Sequence, residues 1–164
     1  TPYGIALFTA FGSVSVDGVL VVPAPDERSM LLNLRAWLDM VAGDDTEMAG
    51  HRVKPFDFPK LRQAYTRCRL KLPAILASPD IRAFDTERRI RNYSVELRDE
   101  RFIRLDEVCR VLGVDLAKQV MTGDMVPALY REGRYQDIAT YSAIDVATTV
   151  RVYTLLAGVA TDLE

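Results

Sequence analysis

Two short stretches of the chain carry residue types and spacings suited to chemistry. The first is Gly50-His51-Arg52-Val53-Lys54-Pro55-Phe56-Asp57-Phe58-Pro59-Lys60-Leu61, where strand-like sequence hands over to a helix start. The second is Tyr141-Ser142-Ala143-Ile144-Asp145, within the last helical stretch. A carboxylate in the first turn of a helix is favoured by unpaired amides and by the positive end of the helix dipole. Asp57 therefore reads either as a helix cap or as an acid free for other work. Tyr141 and Asp145 stand four residues apart and project from one side of a helix, with Cβ atoms about 5–6 Å apart. That pair reads either as a polar helix rim or as a hydroxyl beside a carboxylate. Carboxylate oxygens suit hard divalent cations.

The elements that must position these residues follow from periodicity and turn chemistry. Ile5 to Val16 is rich in β-branched and aromatic residues, Asp17-Gly18 is a turn signal, and Val19 to Val22 continues as a second strand, a hairpin ended by Pro23 and Pro25. Leu31, Leu34, Leu38 and Val41 predict an amphipathic helix from about Ser29 to Ala42, with Trp37 beside the apolar face. A buried strand is predicted at Met48 to Val53, then a helix from near Phe56 to Arg69 with Pro59 in its first turn. Ile81 to Phe84 reads as a short strand. Leu105, Val108, Val111 and Leu112 form a helical stripe ending at Gly113, and further helices are expected at Met125–Glu132 and from Arg134 almost to the end. This order predicts an α/β domain, a mixed sheet with flanking helices, which is the layout of ribonuclease-H-like folds and leaves many other α/β folds open.

Composition narrows the classes. The 164 residues are 49% apolar and 27% charged, which argues for a packed single domain and against disorder. A net charge of −2 excludes bulk electrostatic attraction to nucleic acid and leaves only a local basic lane. Arg62, Arg67, Arg69 and Lys71, followed by Arg88, Arg89 and Arg91, read as such a lane or as solvated helix faces. Cys68 and Cys109 show no metal-ligand spacing and fit a reduced, cytoplasmic compartment. No apolar run approaches membrane-spanning length, so no membrane partner is expected.

Arg52-Val53-Lys54-Pro55-Phe56-Asp57 followed by Tyr141-Ser142-Ala143-Ile144-Asp145 resembles the second and third motifs of the DEDD 3′–5′ exonuclease superfamily, in its tyrosine branch. The likeness is greatest to the predicted exonucleases related to the proofreading domain of family-B DNA polymerases, which use Asn-x-x-x-Phe-Asp and Tyr-x-x-x-Asp. Arg104 to Gly113 resembles the family's helix ahead of the third motif, and Tyr130 to Arg134 with Ile138 resemble the lead-in to its last helix. The resemblance implies a phosphodiesterase using two divalent ions, Mg²⁺ or Mn²⁺. It would act on single-stranded DNA or RNA, or on unpaired 3′ ends, in repair or proofreading. Asp57 and Asp145 would be metal ligands, and Tyr141 would orient the attacking water. Arg52, Lys54 and Phe56 would meet the nucleic acid, Phe56 either stacking on a terminal base or buried in the core.

Two departures stand out. Arg52 occupies the family's asparagine position, where a guanidinium would bind a substrate phosphate, take the metal's place, or point outward and do neither. The first motif, Asp-x-Glu on the central strand, is missing ahead of the second. With Ile5 to Phe11 as that strand, Thr9 and Phe11 fill the acid positions. With Ile5 to Val16 as the next strand, the first strand lies upstream of Thr1, the reading preferred here. Asp45-Thr46-Glu47 carries the spacing in a loop. Asp85-Thr86-Glu87 carries it at a strand end, but after the second motif, and both read as decoys. A catalytically inactive exonuclease-like module that binds nucleic acid or protein remains the alternative, and an unrelated α/β enzyme with a small-molecule pocket a third.

Overall fold

The computed structural model describes residues 6–8, 19–21, 26–43, 46–78, 81–115 and 122–158. Strands β1 (Ala6–Phe8) and β2 (Val19–Val21) pair antiparallel, as the hairpin reading requires. Most of the predicted first strand, its Asp17-Gly18 turn, Thr9 and Phe11 lie outside the described residues. Helix α1 (Glu27–Val41) starts two residues before the predicted Ser29. Asp26 caps it: its carboxylate accepts from the Ser29 amide at 2.7 Å and from the Ser29 hydroxyl at 3.0 Å.

Strand β3 (Met48–Gly50) and strand β4 (Ala83–Asp85) form a small parallel sheet, in the register Met48–Ala83, Ala49–Phe84 and Gly50–Asp85. The expected single mixed sheet is thus represented by two separate two-stranded pieces among the described residues. Helix α7 (Tyr135–Leu156) packs against both, lying on β3 and on the hairpin. The remaining helices are α2 (Phe58–Arg67), α3 (Ala74–Ala77), α4 (Thr86–Ile90), α5 (Leu105–Leu112) and α6 (Val126–Arg131), and they flank the sheet pieces. Two of these, α3 and α4, were not legible as helices, being one turn or little more in length.

The chain leaves β3 earlier than periodicity suggests. The predicted strand to Val53 stops at Gly50, because Arg52 turns into the left-handed region (φ 62°) and Val53–Asp57 coil into a π-helical turn. That reversal folds Val53 back over Gly50: a Cβ built on Gly50 would lie 2.7 Å from Val53 Cβ, so only glycine fits there.

Among the described residues two larger apolar clusters hold the elements, with a third, small one at Ala143 and Ala147 of α7. Leu31, Leu34 and Leu38 of α1 pack with Val53, Phe58, Ala64, Tyr65 and Leu76, with Trp37 partly buried beside them. The Tyr65 hydroxyl donates to the Leu31 carbonyl at 2.7 Å, fixing α2 against α1. Burial pushes that phenol up to about 12. The second cluster joins Ile90, Leu97, Ile103, Val108 and Cys109 to Val152 and Leu156 of α7. Phe84 meets Tyr153 edge-on at 4.9 Å between ring centroids.

Asp85, at the end of β4, is 6% exposed and ties this arrangement together. Its carboxylate accepts from the Arg52 amide at 3.1 Å, the Lys54 amide at 3.2 Å and the Arg88 amide at 3.4 Å. It therefore caps α4 and clamps the turn after β3. Asp85→Ala leaves three amides without their acceptor. It is expected to lower stability by about 3 kcal/mol and the melting midpoint by roughly 10 °C, read by circular dichroism. A loss below about 1 kcal/mol would remove the clamp from the account.

Candidate active site

The Asp57 side chain makes no capping hydrogen bond, although Asp57 directly precedes α2. The π-helical turn explains why. The Phe56 amide bonds to the Arg52 carbonyl at 3.0 Å and the Phe58 amide to the Val53 carbonyl. The coil thus continues backwards past Asp57, and Pro59, two residues on, has no N–H for a cap to accept. The cap reading of Asp57 is thereby corrected. Its carboxylate presents surface to solvent, yet enough protein surrounds it to push its pKa up to about 6. Burial is the larger cause and the Asp85 charge adds to it, while Arg52 opposes both.

Phe56 is 54% exposed, so its expected core alternative falls away; Phe58, 3% exposed, fills the core position instead. Lys60 Nζ lies 5.8 Å from the Phe56 ring centroid. Lys54 is exposed, with its backbone held by Asp85. Arg52 neither points freely outward nor bonds to Asp57. Its guanidinium lies over the Phe102 ring, 4.3 Å from the centroid, and its Nε is 3.9 Å from Glu87 Oε2.

Behind this loop is a buried polar lock. The His51 Nε2–H donates to the Ile103 carbonyl at 2.8 Å, which leaves Nδ1 to accept from the Thr86 hydroxyl at 2.9 Å, the nearer of that hydroxyl's two acceptors, the Gly50 carbonyl being 3.3 Å away. Burial lowers the His51 pKa, so the neutral ring required by this pattern is the favoured form. Glu87 accepts from Arg91 at 3.0 Å and from the Ile103 amide at 3.4 Å. All three residues of Asp85-Thr86-Glu87 are buried and structurally engaged.

A second cluster sits on α7. The Tyr141 hydroxyl donates to Asp145, one helical turn along. Burial, then the Asp145 charge and this hydrogen bond, push the Tyr141 phenol well above its usual value, while Arg104 opposes them. The position a Cβ would take on Gly123 is 3.5 Å from Tyr141 Oη, so the short turn Gly123–Met125 closes against the hydroxyl. Asp124, in that turn, and Asp145 both add to the negative field, and Asp145 also helps raise buried Cys109, held mainly by burial at about 11.

The structure thus brings Asp57 together with Arg52 and Asp85, and Tyr141 together with Asp145, Asp124 and Arg104. The charges acting on Asp57 are those of Asp85 and Arg52. Between the clusters runs the segment Phe102 to Arg104. No local pattern in the sequence marks it; in the structure Phe102 and Arg104 are exposed on either side of Ile103, which is 0% exposed. Much of the expected basic lane is structural. Arg62 holds the Leu76 and Ser78 carbonyls, Arg67 pairs with Glu27, and Arg91 holds the Arg98 and Glu100 carbonyls.

Comparison with known proteins supplies the family. Residues 9–164 match the model of a predicted 3′–5′ exonuclease family related to the exonuclease domain of PolB. The chain belongs to this family. No curated protein and no solved structure matches it. Membership accords with the α/β architecture, a small parallel sheet with flanking helices, and makes the protein a member of a nuclease family that typically uses divalent metals. It displaces the reading as an unrelated small-molecule enzyme. No helix among the described residues is long and apolar enough to cross a membrane. The described residues contain no group of three or more His, Cys, Asp or Glu placed to hold a metal ion. Asp57 and Asp145 fit in donor type, as oxygen ligands for a hard cation, and they make only part of a set.

A pH prediction follows from Asp57. An acid whose folded pKa is raised from 3.8 to about 6 binds more protons folded than unfolded across that interval. Its contribution is present at low pH and is lost as pH rises through about 6. Asp57→Asn is therefore expected to be more stable than the parent above pH 6, with the difference shrinking towards pH 4. Melting curves of both proteins check this, and a difference independent of pH would contradict it.

Proposed function

We propose that this domain is a metal-dependent 3′–5′ exonuclease that removes nucleotides from single-stranded DNA or RNA, or from unpaired 3′ ends, as in repair or proofreading. The observation that carries this is Asp57. It is an acid with no structural hydrogen bond, set immediately before a helix by a turn that occupies the neighbouring amides. Its raised pKa marks a carboxylate that gains from a positive partner. Tyr141-Ser142-Ala143-Ile144-Asp145 adds a hydroxyl already hydrogen-bonded to a second carboxylate, on the helix that packs against β3.

In this reading Asp57 and Asp145 hold the divalent ions, with further acids supplied by residues outside those described. Bound Mg²⁺ or Mn²⁺ supplies charge neutralisation and a nucleophile from water near neutral pH. Tyr141 orients water through its hydroxyl and remains protonated throughout, as its raised pKa requires. Arg52 and Lys54 meet phosphates and Phe56 meets a base. Fixing Phe56 on the turn beside Asp57 puts the base contact next to the acid.

The test is digestion of a 5′-labelled oligonucleotide with Mn²⁺. A ladder shortening from the 3′ end is expected, abolished by EDTA. Asp57→Asn and Asp145→Asn should each reduce kcat by about a thousandfold, and Tyr141→Phe by about a hundredfold with binding unchanged. Oligonucleotide that binds but stays intact with either metal would instead establish the inactive interaction module. Asn variants at 57 and 145 that cut at the parental rate would remove these acids from the site.

A further inference from the structure

Phe102 is a large apolar ring left 49% exposed on backbone that is firmly held, an arrangement the reactions above do not use. Its neighbour Ile103 is fully buried, with its amide bonded to Glu87 at 3.4 Å and its carbonyl to His51 at 2.8 Å. The chain enters α5 through Arg104 in extended conformation (φ −80°, ψ 155°). Side chains alternate along such a segment, so Phe102 and Arg104 emerge on the side opposite Ile103.

One face of the Phe102 ring carries the Arg52 guanidinium, 4.3 Å from the centroid. That guanidinium spends little of its donor capacity: Glu87 is 3.9 Å away, and Arg52 Nε is buried without a hydrogen-bond partner. Arg104, exposed, pairs through Nε with Asp106 at 3.2 Å and acts electrostatically on Tyr141 and Asp124. An aromatic ring with one guanidinium on its face and a second two residues along the chain, on a fixed segment joining the Asp57 and Tyr141 clusters, is the composition of a single-strand subsite. Such sites combine base stacking with phosphate contacts.

We propose that Phe102 is a stacking platform for a base of single-stranded nucleic acid, with Arg52 and Arg104 taking the phosphates on either side of it. This rests on the exonuclease reading and extends its substrate contacts across the segment between the two acid clusters. Phe102 also positions Arg52, since the ring is what the guanidinium lies on. The subsite works without metal, because stacking and charge need none.

Metal-free binding tests it apart from hydrolysis. A 5′-fluorescein 12-mer of deoxythymidine is titrated with protein in EDTA and followed by anisotropy at several salt concentrations. Phe102→Ala should weaken binding about tenfold or more, whereas Phe102→Trp restores it. Arg52→Ala and Arg104→Ala should each weaken binding severalfold and flatten the slope of log affinity against log salt by about 0.7. Arg35→Ala, which removes one charge from α1, should bind as the parent does. Circular dichroism confirms that each variant is folded. Parental binding below detection, a Phe102→Ala affinity within twofold of the parent, or an equal loss in Arg35→Ala would overturn the proposal. Phe102-dependent binding by a protein that never cuts would uphold the subsite and sink the nuclease reading; cutting that ignores Phe102→Ala would do the reverse.

Discussion

One buried carboxylate organises the region on which the function rests. Asp85 receives three backbone amides, from Arg52, Lys54 and Arg88, which no single regular element could satisfy. Hydrogen bonds from amides to a charged acceptor are among the stronger ones, and removing that acceptor leaves each amide's desolvation uncompensated. The clamp converts the exit from β3 into a fixed left-handed turn and π-helical coil, and that coil frees Asp57 from capping. Asp85 also keeps a negative charge near Asp57, so the same group that sets the geometry helps raise the pKa. Structure and electrostatics at Asp57 thus have a common cause.

The rest of the site is arranged by the same economy of buried polar groups. His51 and Glu87 each grip Ile103, one by its carbonyl and one by its amide, so the segment bearing Phe102 and Arg104 is anchored at its centre. Tyr141 and Asp145 share one helix face, and their hydrogen bond needs no other element to form it. The turn at Gly123 then closes over the phenol. Asp57 sits on a loop held by long-range contacts, whereas the Tyr141 pair is local to α7, which packs on β3.

Legibility divided along the same line. Helices α1, α2, α5, α6 and α7 were readable because apolar side chains recur at helical spacing, and Gly113 and Gly133 end two of them in the left-handed region. The π-helical turn was not readable, since it depends on an acid 28 or more residues further along the chain. That dependence also shifted the end of β3 and the start of α2, and it left Phe58 buried and Phe56 exposed. The pattern at Asp85-Thr86-Glu87 was visible in the sequence as acids at a strand end. Its work as clamp, hydroxyl partner and ion-pair acceptor became visible only once β4 lay beside β3. The family motifs at Asp57 and at Tyr141 with Asp145 were local in sequence and hence visible, whereas Phe102 and Arg104 gain meaning only beside Arg52 and Tyr141.

The most direct measurement of whether Asp57 is a metal-binding acid is a carbon-13 NMR titration of its side-chain carboxyl, with and without saturating Mg²⁺. The metal-free protein should titrate near 6 at this position, and Mg²⁺ should lower the midpoint by about one unit or more, because the ion competes with the proton. A metal-free midpoint in the ordinary aspartate range, or one that Mg²⁺ leaves where it was, would contradict the account.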